Sequence, residues 1–318
     1  MNYLDNFAKP LVSICIPTYN RAAYLKKSID SIISQAEFLS GEVEIVISDN
    51  ASADMTKEKV DAYFSKFSNI HYFCNSNNIG DKNFVLALSR GKGVLRKLSN
   101  DTIVYHKESM KCLCTLARKY QKEKPLLFFT NKRFSNSISR CVGLEDFLRC
   151  VSYNITWIGA LSLWDTDCDD IENHLEYCST HLWQVWKICS LLENDRVAMV
   201  LSKRFGEIQS VEKKDISYGL YQIFFKNYFE ILDAFVNKNV ISYDCIEYLK
   251  KDLLFNFFTY WIIQWGKNNK DYKYSSDENL KISVFNEYRT KNYFPYYLLF
   301  FELSKIKYKL KAYVKPNV

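Results

Sequence analysis

Along the first hundred residues, short apolar runs alternate with amphipathic stretches. The apolar runs predict buried strands at 11–16, 43–48, 70–73 and 94–98. The stretches between them predict helices at 21–35, 52–64 and 81–89. This strand–helix alternation predicts βαβ units and a mostly parallel central sheet flanked by helices.

The pattern changes along the rest of the chain. Further helices are predicted at 108–121, 143–151 and 181–192, strands at 126–129, 158–163 and 197–201, and an acidic loop at 165–172. Beyond about residue 205 the period is helical, over 218–237, 243–267 and 292–313. We therefore predict an α/β domain over residues 1–207 and a helical region over 208–318 that serves membrane-surface or homo-oligomer contact.

Charge and composition narrow the classes of partner. The 43 Lys and Arg against 36 Asp and Glu give a net charge of +7, which suits a small anionic ligand or an anionic membrane better than nucleic acid. No apolar stretch reaches the roughly 18 residues of a spanning helix, and the first ten residues lack a signal-peptide core. Ten cysteines without an export signal indicate a reducing compartment. We expect a cytoplasmic protein, peripheral on the inner membrane if its helical region binds lipid.

Polar residues follow the first two predicted strands, at the edge where ligands bind in an open parallel sheet. Thr18 and Asn20 come after Pro17, which ends the first strand. They suit either a polar ring around a ligand or caps for the next helix. Asp49 and Asn50 follow the second strand. Asp49 suits an acceptor for an N–H such as N3–H of uracil, or a helix N-terminal carboxylate.

The fourth predicted strand ends in Ser99-Asn100-Asp101. The hard oxygens of Asn100 and Asp101 suit Mg²⁺ or Mn²⁺ bridging a diphosphate, and an ordinary Asn-Asp turn is the alternative. Lys97, two residues before the triplet, is placed to neutralise phosphate.

Several motifs follow one another in order. They are Leu-Val-Ser-Ile-Cys-Ile-Pro-Thr-Tyr-Asn-Arg, Val-Glu-Ile-Val-Ile-Ser-Asp-Asn-Ala-Ser, Asn78-x-Gly80-x-x-Asn83, and Gly91 followed by Lys97-Leu98-x-Asn100-Asp101. The series resembles the family 2 glycosyltransferases of GT-A fold, strongly over residues 10–105 and weakly over 105–205. Within that family it is similar to bacterial O-antigen, capsule and lipooligosaccharide sugar transferases of the abequosyltransferase-like type.

The resemblance implies roles for the matching residues. The segment that lines the nucleotide base corresponds to Pro17, Thr18, Asn20 and Arg21. The acid that binds the base, usually uracil, corresponds to Asp49, with Asn50 beside it. The segment packed close to the nucleotide corresponds to Gly80 and Asn83, and the metal-binding acid corresponds to Asp101.

Two departures from the family pattern stand out. Ser99 replaces the first acid of the metal-binding triplet. The Glu-Asp pair that usually begins a late helix and supplies the general base is absent, and His181 lies at or near that position. A neutral imidazole can act as a base near pH 7, whereas His181 could also simply cap or pack the helix. Asp170 and Glu176 are competing bases, as is Asp169.

The C-terminal stretch carries apolar residues at helical spacing, including Leu299, Leu303, Ile306 and Leu310, among many lysines. This pattern is typical of an interfacial helix, although a helix packed on the domain with a solvated lysine face would look similar.

Together the sequence predicts an inverting, divalent-metal-assisted transfer of sugar from a nucleotide sugar, with a UDP-sugar favoured, to a glycan or lipid-linked glycan acceptor. A catalytically inactive nucleotide-binding module is the alternative, because the base and the metal triplet both depart from the family.

Overall fold

The computed structural model describes residues 9–130, 138–210, 214–216, 219–265, 272–274 and 279–314. The chain divides into two compact units, one formed by residues 1–143 and 155–210, the other by 144–154 and 211–318. The first unit therefore ends near Ser210, and most of the helix that begins at Gly143 belongs to the second.

The strands of the first unit are β1 (Val12–Thr18), β2 (Val43–Asp49), β3 (Ile70–Cys74), β4 (Leu95–Leu98), β5 (Ile103–Tyr105), β6 (Leu126–Phe129), β7 (Ile138–Val142), β8 (Ser162–Trp164), β9 (Val197–Leu201) and β10 (Gly206–Ile208). Five of them form one sheet in the order β3-β2-β1-β4-β8. The first four of these strands run parallel, and β8 pairs antiparallel with β4. Three others form a smaller sheet in the order β6-β9-β7, and β10 pairs with β5. This mostly parallel sheet confirms the predicted α/β class.

Helices connect and cover these strands. They are α1 (Ala22–Ile33), α2 (Ala36–Leu39), α3 (Thr56–Phe64), α4 (Lys82–Ser89), α5 (Ser109–Tyr120) and α7 (Trp183–Leu192), whereas α6 (Gly143–Val151) belongs mostly to the second unit. On α1, Leu25, Ile29 and Ile32 are fully buried at the spacing of one helix face. Both β1 and β2 are buried along their whole length, because helices shield both faces of a parallel sheet.

Two predicted segments differ from the structure. The predicted strand at 158–163 is one 3₁₀ turn at Ile158–Ala160 followed by the short β8. The predicted acidic loop at 165–172 forms 3₁₀ turns in which Asp165 pairs with Lys9 and Lys124, and Asp167 pairs with Arg196. Local periodicity could not find these partners because they come from distant parts of the chain.

The second unit is mainly helical. After a short strand β11 (Lys214–Ile216) its elements are a π-helical turn Gln222–Asn227, α8 (Tyr228–Asn237), α9 (Tyr243–Asp252), a second π-helical turn Leu253–Phe258, α10 (Thr259–Trp265), β12 (Tyr272–Tyr274), α11 (Leu280–Tyr288) and α12 (Phe294–Val314). Aromatic rings fill its interior; for example, Phe255 packs edge-on against Tyr297 with ring centroids 5.3 Å apart.

Helix α12 is apolar on two faces. Phe294, Tyr297 and Phe301 are buried, whereas Leu299, Leu303, Ile306 and Leu310 are 55–65% exposed. One face therefore packs inside the unit while the predicted apolar stripe faces solvent. Among the described residues, no helix combines the length and the apolar character needed to cross a membrane.

Candidate nucleotide-sugar site

A cleft of about 290 Å³ opens where the carboxyl ends of β1, β2 and β4 meet the start of α4. Such an edge is where parallel sheets bind ligands, because loops from neighbouring strands converge there. The predicted site residues that line it are Pro17, Thr18, Arg21, Asn50, Gly80, Asn83 and Asp101. Four separate stretches of the sequence thus meet in one cavity.

Asp101 is the buried acid of this cleft. It is only 3% exposed, and its carboxylate accepts hydrogen bonds from Thr18 Oγ1 at 2.9 Å and from Arg21 Nη1 at 3.1 Å. Burial raises the pKa of Asp101 above its usual range, although Arg21 and Thr18 act in the opposite direction. The hydrogen bonds from Arg21 and Thr18 therefore do not fully offset the cost of burying the Asp101 charge, and a bound cation would stabilise that charge further.

The two residues before Asp101 behave differently. Ser99 is fully buried, and its Oγ accepts a hydrogen bond from Tyr105 Oη at 2.8 Å. The Asn100 carbonyl accepts the Ile103 N–H at 3.1 Å, so the triplet also forms the turn into β5. The triplet is thus an ordinary turn, and the same turn places the Asp101 carboxylate at the cleft.

Asn20 holds loops together. Its backbone N–H donates to Ser52 Oγ at 2.8 Å, and its side-chain oxygen accepts the Ala53 N–H at 2.8 Å. Asn20 and Ala51 both lie in the left-handed region, with φ of 52° and 62°, and asparagine tolerates that region better than alanine does. The structure thus gives Asn20 a bracing role, in which it fastens the loop after β1 to the loop after β2.

Asn50 fastens the next loop. Its side-chain amide donates to Asn78 Oδ1 at 2.7 Å, and its side-chain oxygen accepts the Ile79 N–H at 2.9 Å. Gly80 follows with φ of 61°, which a residue with a side chain adopts only with strain. Asn50 thereby shapes the Asn-x-Gly wall of the cleft.

Asn83 lies at the bottom of that wall and is 3% exposed. Its side chain exchanges two hydrogen bonds with Ser48, one with the hydroxyl at 2.6 Å and one with the carbonyl at 2.8 Å. Arg90 also donates to Ser48 Oγ at 2.5 Å. This buried network ties α4 to the end of β2.

Asp49 is 1% exposed at the end of β2. Its carboxylate accepts the Ser52 N–H at 2.9 Å and the Tyr72 hydroxyl at 2.5 Å. Asp49 thus braces the loop after β2, and because α3 begins only at Thr56 the helix N-terminal alternative does not describe it. A carboxylate offers about four lone-pair sites, so base binding stays a prediction alongside this role.

The position of Lys97 contradicts its predicted contact with phosphate. Its Nζ donates to the carbonyls of Leu98 at 2.7 Å and Gly159 at 2.5 Å, and the residue is 4% exposed. Burial lowers its pKa to about 7. Lys97 lies on β4 with its ammonium in the protein interior, so its role is to satisfy buried carbonyls.

Of the four candidate bases, Asp169 is exposed just before Asp170, and the other three lie on or next to one segment. Asp170 precedes the 3₁₀ segment Ile171–Thr180, Glu176 lies within it, and His181 ends it. Asp170 and Glu176 are exposed, and Glu176 Oε1 lies 3.6 Å from His174 Nδ1. His181 Nδ1 lies 2.9 Å from Asp81 Oδ2, and Asp81 lines the cleft. Of the three, His181 is thus the one joined directly to the wall of the cleft.

Sequence reasoning left four lining residues out of the site: Tyr19, Asn78, Asp81 and Phe84. Tyr19 and Asn78 lie inside motifs already identified, and that position in the sequence was the available signal. Asp81 had no such signal, because its partner His181 is 100 positions away.

The donor set fits a divalent ion that is completed by substrate. Among the described residues, no group of three or more His, Cys, Asp or Glu side chains could hold a metal ion. Mg²⁺ usually binds through one or two carboxylates together with substrate phosphates. One undercompensated carboxylate, Asp101, in an oxygen-lined cleft meets that requirement.

Comparison with known proteins adds to this geometry. The sequence profile described as Glycosyl transferase family 2 matches residues 13–124, which include β1 to β4 and Asp101. Residues 13–124 are thus similar to family 2 glycosyltransferase domains. Abequosyltransferase RfbV of Salmonella typhimurium is 45% identical over 85 residues, or 26% of this chain and 25% of RfbV. The match thus spans about a quarter of that relative.

Solved structures extend the similarity over nearly the whole chain at the level of fold. S. aureus TarS 1-349, solved in complex with UDP, has a TM-score of 0.57 at 16% identity and covers 96% of this chain and 94% of its own. Mannosyltransferase PcManGT from Pyrobaculum calidifontis, solved with GDP-Man and Mn²⁺, has a TM-score of 0.51 at 12% identity, covering 94% and 88%. These likenesses confirm the predicted GT-A fold.

Proposed function

We propose that this protein transfers a sugar from a nucleoside-diphosphate sugar, with a UDP-sugar preferred, to a bacterial surface glycan or its lipid-linked precursor, with inversion at the anomeric carbon. The observation that carries the proposal is the cleft in which Asp101 meets Thr18 and Arg21 inside the family 2 domain. The UDP in TarS supports the choice of nucleotide.

Each wall of the cleft has a part in binding the donor. Asp49, next to the lining residue Asn50 at the end of β2, accepts the N3–H of uracil, and Tyr19 offers an exposed ring beside the base. Arg21, which is 43% exposed at its side chain, moves its guanidinium from Asp101 to the diphosphate. Asn50 and Gly80 keep the facing wall in place.

Asp101 would hold Mg²⁺ or Mn²⁺ together with the diphosphate oxygens, as the Mn²⁺ in PcManGT supports. When bound, the ion supplies positive charge where negative charge develops on the leaving group. Asp101 itself contributes a fixed carboxylate, and Arg21 neutralises the remaining phosphate charge. His181 takes the proton from the acceptor hydroxyl as that oxygen attacks the anomeric carbon.

The acceptor reaches the protein at an anionic lipid surface. The exposed stripe Leu299, Leu303, Ile306 and Leu310 is apolar, and Lys305, Lys307 and Lys309 lie on the same turns of α12. Basic residues beside an apolar helical stripe complement anionic headgroups over an acyl layer. The protein would then act as a peripheral protein on the cytoplasmic face of the inner membrane.

Vesicle sedimentation tests this membrane contact. Wild-type protein should bind vesicles of phosphatidylglycerol and phosphatidylcholine and should bind pure phosphatidylcholine much less. The double substitution L303N/I306N should abolish binding without loss of folding. Ile282→Asn is the control, because Ile282 is 57% exposed outside the stripe. Concentration-dependent dimerisation in place of vesicle binding would assign the stripe to self-association.

Calorimetry tests the donor site. UDP, GDP, CDP, TDP and ADP are titrated, each with and without Mn²⁺. We expect binding of UDP that Mn²⁺ strengthens and that Asp101→Asn makes insensitive to Mn²⁺. No binding of any nucleotide would refute the proposal. Nucleotide binding without release of nucleotide from any donor sugar would favour the inactive module, which the single carboxylate in the cleft also suggests.

A further inference from the structure

We propose that Asp81 is a positioning residue that holds His181 as a general base, so that the Asp81–His181 pair stands in for the missing Glu-Asp motif. This inference rests on the proposed function and adds a residue to its chemistry. It starts from the 2.9 Å contact between His181 Nδ1 and Asp81 Oδ2, two residues separated by 100 positions along the chain.

The contact selects the tautomer that a base needs. When Nδ1–H donates to a carboxylate, Nε2 of a neutral imidazole carries the lone pair. The carboxylate also stabilises the imidazolium formed after proton uptake, as in other carboxylate–histidine pairs. Asp81 is partly enclosed, with a side chain 25% exposed, whereas the His181 side chain is 47% exposed. The acid is therefore held in the protein while the imidazole stays within reach of an acceptor.

Backbone and side-chain contacts on both sides of His181 keep this residue in place. His181 has φ of 58°, in the left-handed region, and its N–H donates to the Cys178 carbonyl at 3.1 Å. Tyr177 stacks on Trp186 with ring centroids 4.4 Å apart, which joins the segment before His181 to helix α7 after it. Histidine is among the residues enriched in the left-handed region. The imidazole is thus presented from a braced turn.

Asp81 connects this turn to the donor. It directly precedes α4 and follows Gly80, and it lines the cleft together with Asp101. Burial raises the pKa of Asp81, and His181 beside it acts to lower that pKa. By contrast, neither Asp170 nor Glu176 is among the residues that line the cleft. The pair is therefore the base candidate that touches the wall of the donor site.

The step balances as a single displacement. The acceptor oxygen forms a bond to the anomeric carbon, the bond from that carbon to the diphosphate oxygen breaks, and the diphosphate leaves with the electron pair. The hydroxyl proton goes to His181 Nε2. Asp81 stabilises the resulting imidazolium, which later loses the proton to solvent.

A graded series of variants tests the pair through the slow release of UDP from UDP-glucose, UDP-galactose and UDP-GlcNAc with water as the acceptor. Asp81→Asn keeps an oxygen that can accept from Nδ1–H but removes the charge, and Asp81→Ala removes both. We expect kcat to fall about tenfold in Asp81→Asn and about a hundredfold or more in Asp81→Ala, with KM nearly unchanged. The kcat of His181→Asn should fall at least as far, because asparagine tolerates the left-handed backbone but supplies no imidazole.

A histidine–carboxylate pair of the same chemistry gives the matched control. His106 Nε2 lies 3.2 Å from Glu207 Oε1 on an exposed part of the first unit. Glu207→Ala breaks that pair and should leave kcat unchanged. An equal fall of kcat in Glu207→Ala and Asp81→Ala would overturn the proposal. Wild-type kcat in both Asp81 variants would overturn it as well.

A second readout does not depend on turnover. The chain has four histidines, so ¹⁵N-histidine spectra resolve each ring, and His181→Asn assigns the signal. His181 should show the Nδ1–H tautomer in the wild type and in Asp81→Asn, and should lose it in Asp81→Ala. An Nε2–H tautomer in the wild type would refute the pair. UDP binding with normal turnover in Asp81→Ala would refute the pair alone, whereas absence of UDP binding by the wild type would refute the donor site.

Discussion

The two units differ in what fills their interiors. The first unit buries polar groups such as Glu44, Asn83, Lys97 and Asp101, each with specific hydrogen-bond partners. The second unit buries aromatic rings that pack edge to face or tilted, as Phe257 and Phe258 do. Hydrogen bonds demand one geometry, whereas apolar packing accepts many. The unit with the polar interior is the one that holds loops in the positions a ligand needs.

The largest effect is expected in the aromatic interior. Phe258 is fully buried, so Phe258→Ala should lower the free energy of unfolding by about 3–5 kcal/mol. Phe258→Leu should lower it much less, because an apolar side chain still fills most of the space. Tyr260→Ala, at a residue 39% exposed, is the control. Denaturant titration measures all three, and an equal loss in the leucine and alanine variants would show that this interior also requires one exact shape.

Removing the charge of Asp101 should act on chemistry and leave stability nearly unchanged. Asp101→Asn should lower kcat/KM for UDP-sugar turnover roughly 10²–10³-fold, because a fixed charge at the leaving group is lost. The free energy of unfolding should stay the same or rise, because burial disfavours this carboxylate. Asp30→Asn is the control, since Asp30 pairs with Lys26 on α1. Full turnover in Asp101→Asn would remove Asp101 from the site.

Replacement of Lys97 tests the polar interior itself. Lys97→Met leaves carbonyls such as that of Gly159 without their donor, so unfolding should become easier by about 1–3 kcal/mol. The affinity for UDP should not change, because the Lys97 ammonium lies among those carbonyls. Lys92→Met, at an exposed position, is the control. A stable Lys97→Met protein with weakened UDP binding would restore the predicted phosphate contact.

The smallest effect is expected in the way the stability of the fold depends on pH through Glu44. Burial acts to raise the pKa of Glu44, but hydrogen bonds from His71, Ser13 and the Lys92 N–H outweigh it and leave the pKa lowered. A glutamate whose pKa is lowered by folding stabilises the fold at pH values above its unfolded pKa of about 4.3. That stabilisation disappears as the pH falls through the pKa of the folded protein. Glu44→Gln should therefore cost on the order of 1 kcal/mol at pH 7 and progressively less below about pH 4.

Thermal unfolding of wild type and Glu44→Gln between pH 3 and pH 7 measures this difference. A gap between the two proteins that widens as the pH falls below about 4 would contradict the sign.

The sequence by itself was enough for β1 to β4, for the helices α1, α3 and α4 between them, and for the acid that follows β4. These features are local, because strand and helix periods, Pro17, and polar residues at strand ends are all visible within a few positions. The motif order also indicated the resemblance to family 2 glycosyltransferases, which the profile match over residues 13–124 confirms. The roles of the individual site residues stay predictions.

Only the tertiary structure decided where those side chains go. Lys97 is hydrophilic in sequence, yet its strand buries it among carbonyls, and Asn20 braces two loops. Asp81 and His181 become partners because α4 and the turn before α7 meet in space. On α12, the helical period was readable, but packing decided that Tyr297 is buried and Leu303 is exposed. A local pattern specifies which face is apolar, whereas the contacts between distant segments specify what covers it.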